Sequence, residues 1–121
     1  MTSEERAIAQ EKIMYVQDTL YVLGGKWKLP ILISMHYGNR RFTDIKNSIP
    51  DITSRVLSKE LKLLEMNKLV KRTVIDDYPV VIEYALTEYI ETVKSLTKEL
   101  MEWGKNHRQI IKGKHLETIE Q

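Results

Sequence analysis

The 121-residue sequence contains no cysteine. Disulfides, thiolate nucleophiles, thiol redox sensing and cysteine-ligated zinc or iron-sulfur centres are therefore excluded from it. There is one phenylalanine, and no run approaches the roughly 18 apolar residues that a membrane-crossing helix needs. With five glycines and three prolines, no linker, low-complexity tract or internal repeat divides the chain. The first ten residues, Met1 to Gln10, are polar and charged and lack the apolar core of a secretion signal, so the expected location is cytoplasmic. This length predicts one domain with a real core, residues 1–121, divided into an N-terminal arm or helix (1–14), a core (15–86) and a C-terminal helix and tail (87–121).

Catalytic constellations are also missing. Catalysis needs a nucleophile beside a base or a cluster of metal ligands, and His36, His107 and His115 offer neither at any recognisable spacing. Asp76 and Asp77 are paired carboxylates, but on a turn where nothing desolvates them. No glycine-rich phosphate loop follows a strand. The chain is read as a non-enzyme, with no catalytic residue, metal ligand or cofactor assigned.

What the sequence does contain is unevenly placed charge. Residues 40–72 hold nine cations (Arg40, Arg41, Lys46, Arg55, Lys59, Lys62, Lys68, Lys71, Arg72) and four anions (Asp44, Asp51, Glu60, Glu65), an excess of five in a chain whose formal charge is +2. A basic middle between acidic ends suits a segment that meets a polyanion, although surface helices carry lysine for solubility as well.

Turn residues and periodicity set the order of elements. Gly24-Gly25 ends a stretch with Val16, Leu20 and Leu23 at helical spacing, read as a short helix, and the charged segment from Ser3 to Lys12 is a candidate for a separate one. A second helix is expected from about Trp27, because Pro30 is tolerated only in a first turn; Ile31, Leu32 and Met35 form its buried stripe and Gly38-Asn39 stops it. Thr43 is the expected N-cap of a brief helix through Ile45 and Ser48, closed by Pro50. Thr53 then caps a longer helix that buries Val56, Leu57, Leu61 and Leu64 and turns Arg55, Ser58, Lys59 and Lys62 outward. The β-branched runs Val70–Ile75 and Val80–Tyr84 flank a turn at Asp76-Asp77-Tyr78-Pro79 and predict a hairpin. Thr87 is the expected cap of a long final helix with Ile90, Val93, Leu96, Leu100 and Trp103 on one face; beyond Gly104, the apolar residues Ile110, Ile111, Leu116 and Ile119 extend it, with Gly113 as an interruption. Two helices joined by a short turn and followed by a two-stranded ribbon make a winged helix-turn-helix, a mainly α fold with a small β wing (α+β).

Four stretches in order, Gly24-Gly25-Lys26-Trp27-Lys28, Arg41-Phe42-Thr43-Asp44-Ile45, Leu57 to Glu65 and Ile82 to Thr87, together with Glu102-Trp103-Gly104, resemble the HxlR family of bacterial regulators from about Tyr15 to Gly104. The resemblance implies a winged-helix homodimer that binds palindromic operator DNA, usually as a repressor, and joins through its terminal helices. Two departures stand out. Family members that sense oxidants or electrophiles carry a cysteine where Met14 stands, and the family wing often has a basic residue where Val80 and Val81 lie beside Asp76 and Asp77, which puts wing-to-phosphate contact in question.

A helix-turn-helix lays the N-terminal residues of its second helix against base edges. Ser54, Arg55 and Ser58 are accordingly the expected base contacts, with Arg55 able to present a bidentate fork to guanine. Lys26, Arg40, Arg41, Thr53, Lys59 and Lys62 are expected at the DNA backbone, with Lys28 and Lys46 nearby as further phosphate candidates. Trp27 reads as packing, not as a base-stacking residue. Ile90, Val93, Leu96, Leu100 and Trp103 are the expected dimer interface, the alternative being a helix that only covers its own domain. An apolar effector near Tyr15, Tyr21, Met101 and Trp103 competes with a plain interface core, so no ligand site is assigned. The rival to DNA binding is a winged helix whose basic face meets an acidic protein partner.

Overall fold

A computed structural model describes residues 1–113 and, for Asp76 and Asp77, the backbone alone. The elements are α1 (Ser3–Leu23), α2 (Lys28–His36), α3 (Phe42–Ser48), α4 (Ser54–Met66), β1 (Val70–Asp77), β2 (Val80–Leu86), one 3-10 turn (Glu88–Ile90) and α5 (Glu91–Ile111). The chain divides into two compact units, residues 1–88 and the segment from Tyr89 onward.

In the first unit, α1 is one continuous helix, not a short helix preceded by another. Its start is a reciprocal capping box: Glu5 N–H donates to Thr2 Oγ1 at 3.0 Å, and Thr2 N–H donates to Glu5 Oε1 at 2.8 Å. It ends at Gly24, whose extended backbone brings its N–H to the Leu20 carbonyl at 2.7 Å. A Cβ at Gly24 would collide with that same carbonyl oxygen, which explains the glycine.

α2 begins where Pro30 requires, with Pro30 in its first turn, and buries Ile31, Leu32 and Met35 as expected. A Schellman motif closes it. Gly38 N–H donates to the Met35 carbonyl and Asn39 N–H to that of Ser34, with Gly38 at φ +112°. Ser34, buried in α2, then joins the two helices: its hydroxyl lies 2.6 Å from that of Ser48 at the end of α3, and Asn39 Nδ2 donates to it at 3.0 Å. The cap of α3 differs from expectation. Arg41 is the N-cap, without a side-chain cap bond, and Thr43 lies inside the helix.

α4 is capped as expected by Thr53, whose Oγ1 accepts from Val56 N–H at 3.2 Å. Leu57, Leu61 and Leu64 are fully buried and Val56 half-buried, so the predicted apolar stripe is the core-facing side. Ile45, Ile49, Ile52, Leu69 and Val70 complete this core. Fully burying a leucine or isoleucine contributes about 1.5–3 kcal/mol by apolar transfer, so this cluster is what fixes α4 against α2 and β1.

The hairpin is longer than the sequence pattern predicts. β1 and β2 pair antiparallel out to Asp77 and Val80, which leaves only Tyr78-Pro79, joined by a cis peptide, as the connection. The register shifts between Val74 and Asp76, a bulge that leaves Ile75 as the extra residue. The chain before α3 is fastened to this ribbon, since Tyr84 N–H donates to the Arg40 carbonyl at 2.8 Å.

Thr87 does not cap α5. Its N–H donates to the Leu69 carbonyl at 3.1 Å and its hydroxyl to the Lys68 carbonyl at 2.6 Å, which ties the end of β2 to the end of α4. In the second unit, α5 follows the 3-10 turn with Ile90 as its N-cap and runs without a break through Gly104 to Ile111. The helix ends at Ile111 with Lys112 as its C-cap, and Gly113, the expected interruption, follows at φ +93°. Leu116, Ile119 and His115 lie outside the described residues.

Candidate nucleic-acid interface

The site is built on the turn between α3 and α4. Ile49 and Ile52 are buried on either side of exposed Pro50 and Asp51, so two apolar anchors hold a tight corner whose tip faces water. Asp51 takes the left-handed conformation there at φ +68°, a geometry that aspartate tolerates better than most residues. The corner aims the N-terminus of α4 outward with Thr53 as its cap. No acidic residue occupies the first turn of α4 to offset the partial positive charge of the helix end.

Thr53, Ser54, Arg55, Ser58, Lys59 and Lys62 are all exposed. Arg55, Ser58, Lys59 and Lys62 recur at three- and four-residue spacing and therefore share the face opposite Leu57, Leu61 and Leu64. Among the described residues no carboxylate lies within ion-pair distance of Arg55, Lys59 or Lys62. The result is a cationic ridge with the hydroxyls of Thr53, Ser54 and Ser58 beside it, carried on an α-helix, an element that a DNA major groove admits.

The flanking cations divide. Lys26 is exposed, its Nζ 4.7 Å from the centroid of half-buried Trp27. Arg40 is exposed, and exposed Arg41 lies 3.7 Å from Glu83 on β2. Lys28 is different: its Nζ lies 2.7 Å from Glu60 Oε1, with the two side chains only 12% and 14% exposed. An ion pair this enclosed ties α2 to α4, and Lys28 is withdrawn from the phosphate contact expected of it. Lys46 is half-buried.

Of the exposed groups outside α4, Lys71, Arg72 and several residues of α1 carry no site role from the sequence pattern, whereas Leu96, Leu100 and Trp103 belong to the pairing surface expected from it. Lys71 and Arg72 are exposed on β1, so the wing carries two cations at its base although its tip is acidic and apolar. On α1, Ile13, Met14, Tyr15, Val16, Leu20 and Tyr21 are exposed, Tyr21 to 75%. On α5, Leu96, Leu100, Met101 and Trp103 are exposed, Trp103 to 66%, whereas Ile90 and Val93 are buried.

The chain matches the family model described as HxlR-like helix-turn-helix over residues 22–112. It is 34% identical over 106 residues to the HTH-type transcriptional regulator YtcD of Bacillus subtilis, with 88% of this chain and 84% of that protein covered. The crystal structure of an HTH-type transcriptional regulator ytcD superposes with a TM-score of 0.72 at 36% identity, covering 78% of this chain and 96% of that one. The redox regulator HypR in its reduced form superposes with a TM-score of 0.71 at 35% identity, covering 82% and 98%. With the winged helix and its cationic second helix in place, these matches show that the chain belongs to the HxlR-like helix-turn-helix family and is a DNA-binding transcriptional regulator, not an enzyme.

Proposed function

We propose that the chain acts in the cytoplasm as a homodimeric repressor that reads a palindromic operator through α4. The observation that carries this reading is the cationic ridge of α4, which has no ion-pair partner among the described residues and begins at an outward-facing capped helix end. In this reading Arg55 is the sequence-reading residue, with Ser54 and Ser58 beside it at the base edges. Thr53, Lys59, Lys62, Lys26, Arg40 and Arg41 meet the phosphates and fix the register.

A single unit of this size covers one half-site, and pairing across about one helical turn supplies both affinity and specificity. The apolar surface for pairing is present on both terminal helices. Leu96, Leu100 and Trp103 on α5 supply one part of it and the exposed residues of α1 another. Ile90 and Val93, already buried within the protomer, have little surface left to give a partner. Thiol chemistry is unavailable to these 121 residues, so any signal sensed by the dimer reaches it by another route.

Selection of bound sequences from a random duplex pool, followed by titration of the winner at two salt concentrations, tests this reading. The expected result is a palindrome with half-sites about one helical turn apart and a log-log salt slope set by the phosphates neutralised. Weak, sequence-blind binding that vanishes at physiological salt would instead favour a basic face made for a protein partner.

A further inference from the structure

The register of the wing places two opposite charges side by side next to the reading helix. Because Tyr84 N–H donates to the Arg40 carbonyl, the segment entering α3 runs along β2, and the next residue on each, Arg41 and Glu83, become neighbours. Arg41 Nε lies 3.7 Å from Glu83 Oε2, with the side chains 52% and 32% exposed. The partner of Glu83 across the hairpin is Thr73, which carries no charge. Among the described residues Glu83 is the one carboxylate within ion-pair distance of a cation given above to the DNA backbone.

A pair as wet as this contributes little to folding. Its consequence falls on DNA binding. The guanidinium is a flat group with donors along more than one edge, and its Nε edge faces Glu83 while much of the group stays in water. A phosphate approaching Arg41 therefore meets a cation whose charge is already partly compensated, and it meets the carboxylate as well.

We propose that Glu83 is a positioning residue that limits the affinity of this regulator for DNA, by competing with backbone phosphate for Arg41. Phosphates are the same in every sequence, so the damping acts alike on operator and on random DNA. Its benefit is kinetic: a repressor with a weaker sequence-blind term is less retained at the great excess of non-operator sites. The inference rests on the backbone role given to Arg41 under the proposed function.

The test is titration of the full chain, and of Glu83→Gln, Glu83→Asp, Arg41→Gln and the Glu83→Gln/Arg41→Gln pair, against operator and random duplexes across a salt series. Glu83→Gln is expected to tighten both duplexes by about two- to fivefold, the scale of a part-exposed ion pair. It is also expected to steepen the salt slope by up to about 0.9 per chain, one phosphate's worth. Glu83→Asp keeps the charge and is expected to stay near the unmodified chain, and the gain is expected to vanish when Arg41 is also replaced. An unmoved or weakened affinity in Glu83→Gln overturns the inference, as does an equal gain in the Arg41→Gln background, where Glu83 would act as an isolated charge. If the unmodified chain itself shows no operator preference, the proposed function fails. A normal operator preference with an unmoved Glu83→Gln slope overturns this inference alone.

Discussion

At the residue scale, the cations of this protein differ by what surrounds them, and substitutions should sort accordingly. Arg55 is exposed on the first turn of α4 and has no ion-pair partner among the described residues. Arg55→Ala is expected to weaken operator binding by about 1–3 kcal/mol and to blunt base preference at one position of each half-site, read by titration against operators changed one base at a time. Lys59→Ala should instead weaken binding to every sequence alike and flatten the salt slope by about one. Lys28 behaves as neither, because its ammonium is enclosed against Glu60. Removing one member of a buried pair strands the other; for full burial this costs about 3–5 kcal/mol, and here, with some solvent access, about 1–3 kcal/mol is expected. Urea unfolding of Lys28→Met should show that loss, whereas Lys26→Met should unfold near the unmodified chain. The sequence pattern makes both Lys26 and Lys28 candidates for phosphate and gives no sign that Lys28 is enclosed. Both flank Trp27 in a basic cluster, and only the packing of α2 against α4 selects which of the two is withdrawn.

At the element scale, punctuation by special residues was legible and circumference was not. Pro30, Gly38, Pro50 and Thr53 each impose a local constraint that survives any tertiary context, so α2, the corner and α4 stand where they were expected. Thr53→Ala should cost about 1 kcal/mol of stability in thermal or urea unfolding, the usual worth of an N-cap. Threonine by itself was a weaker guide. Thr43 lies inside α3, and Thr87 spends its hydroxyl on the Lys68 carbonyl, a bond to a residue 19 positions away that no local pattern displays. The continuity of α1 has no single apolar face to mark it: Val16, Leu20 and Leu23 keep helical spacing, but Ile13, Met14, Tyr15 and Tyr21 run round the helix, so no one stripe joins its charged first half to its second. The signal that was available is Thr2-Ser3-Glu4-Glu5, a capping box readable from sequence alone. The wing was legible as a hairpin, but strands that continue through Asp76 and Asp77 to a two-residue connection contradict the low strand propensity of aspartate, a case of pairing overriding preference.

At the scale of the whole molecule, the regulator combines a cationic α4 held by a leucine and isoleucine core with terminal helices that leave large apolar side chains in water. Large exposed apolar residues such as Tyr21 and Trp103 are costly to leave uncovered, and the proposed homodimer would bury them. Trp103→Asp, a charge placed on that surface, is expected to lower the sedimenting mass from dimer to monomer at micromolar concentration while the unit bearing α4 stays folded. Such a monomer should keep the weak phosphate attraction and lose operator selectivity, because one half-site no longer recruits the other. The central claim is that two chains read one palindrome through paired α4 helices, and its most direct test is the mass of the protein on a full operator and on a duplex carrying a single half-site. Two chains per full operator are expected, with tight binding lost on the half-site; one chain per duplex at equal affinity for both would contradict the paired reading.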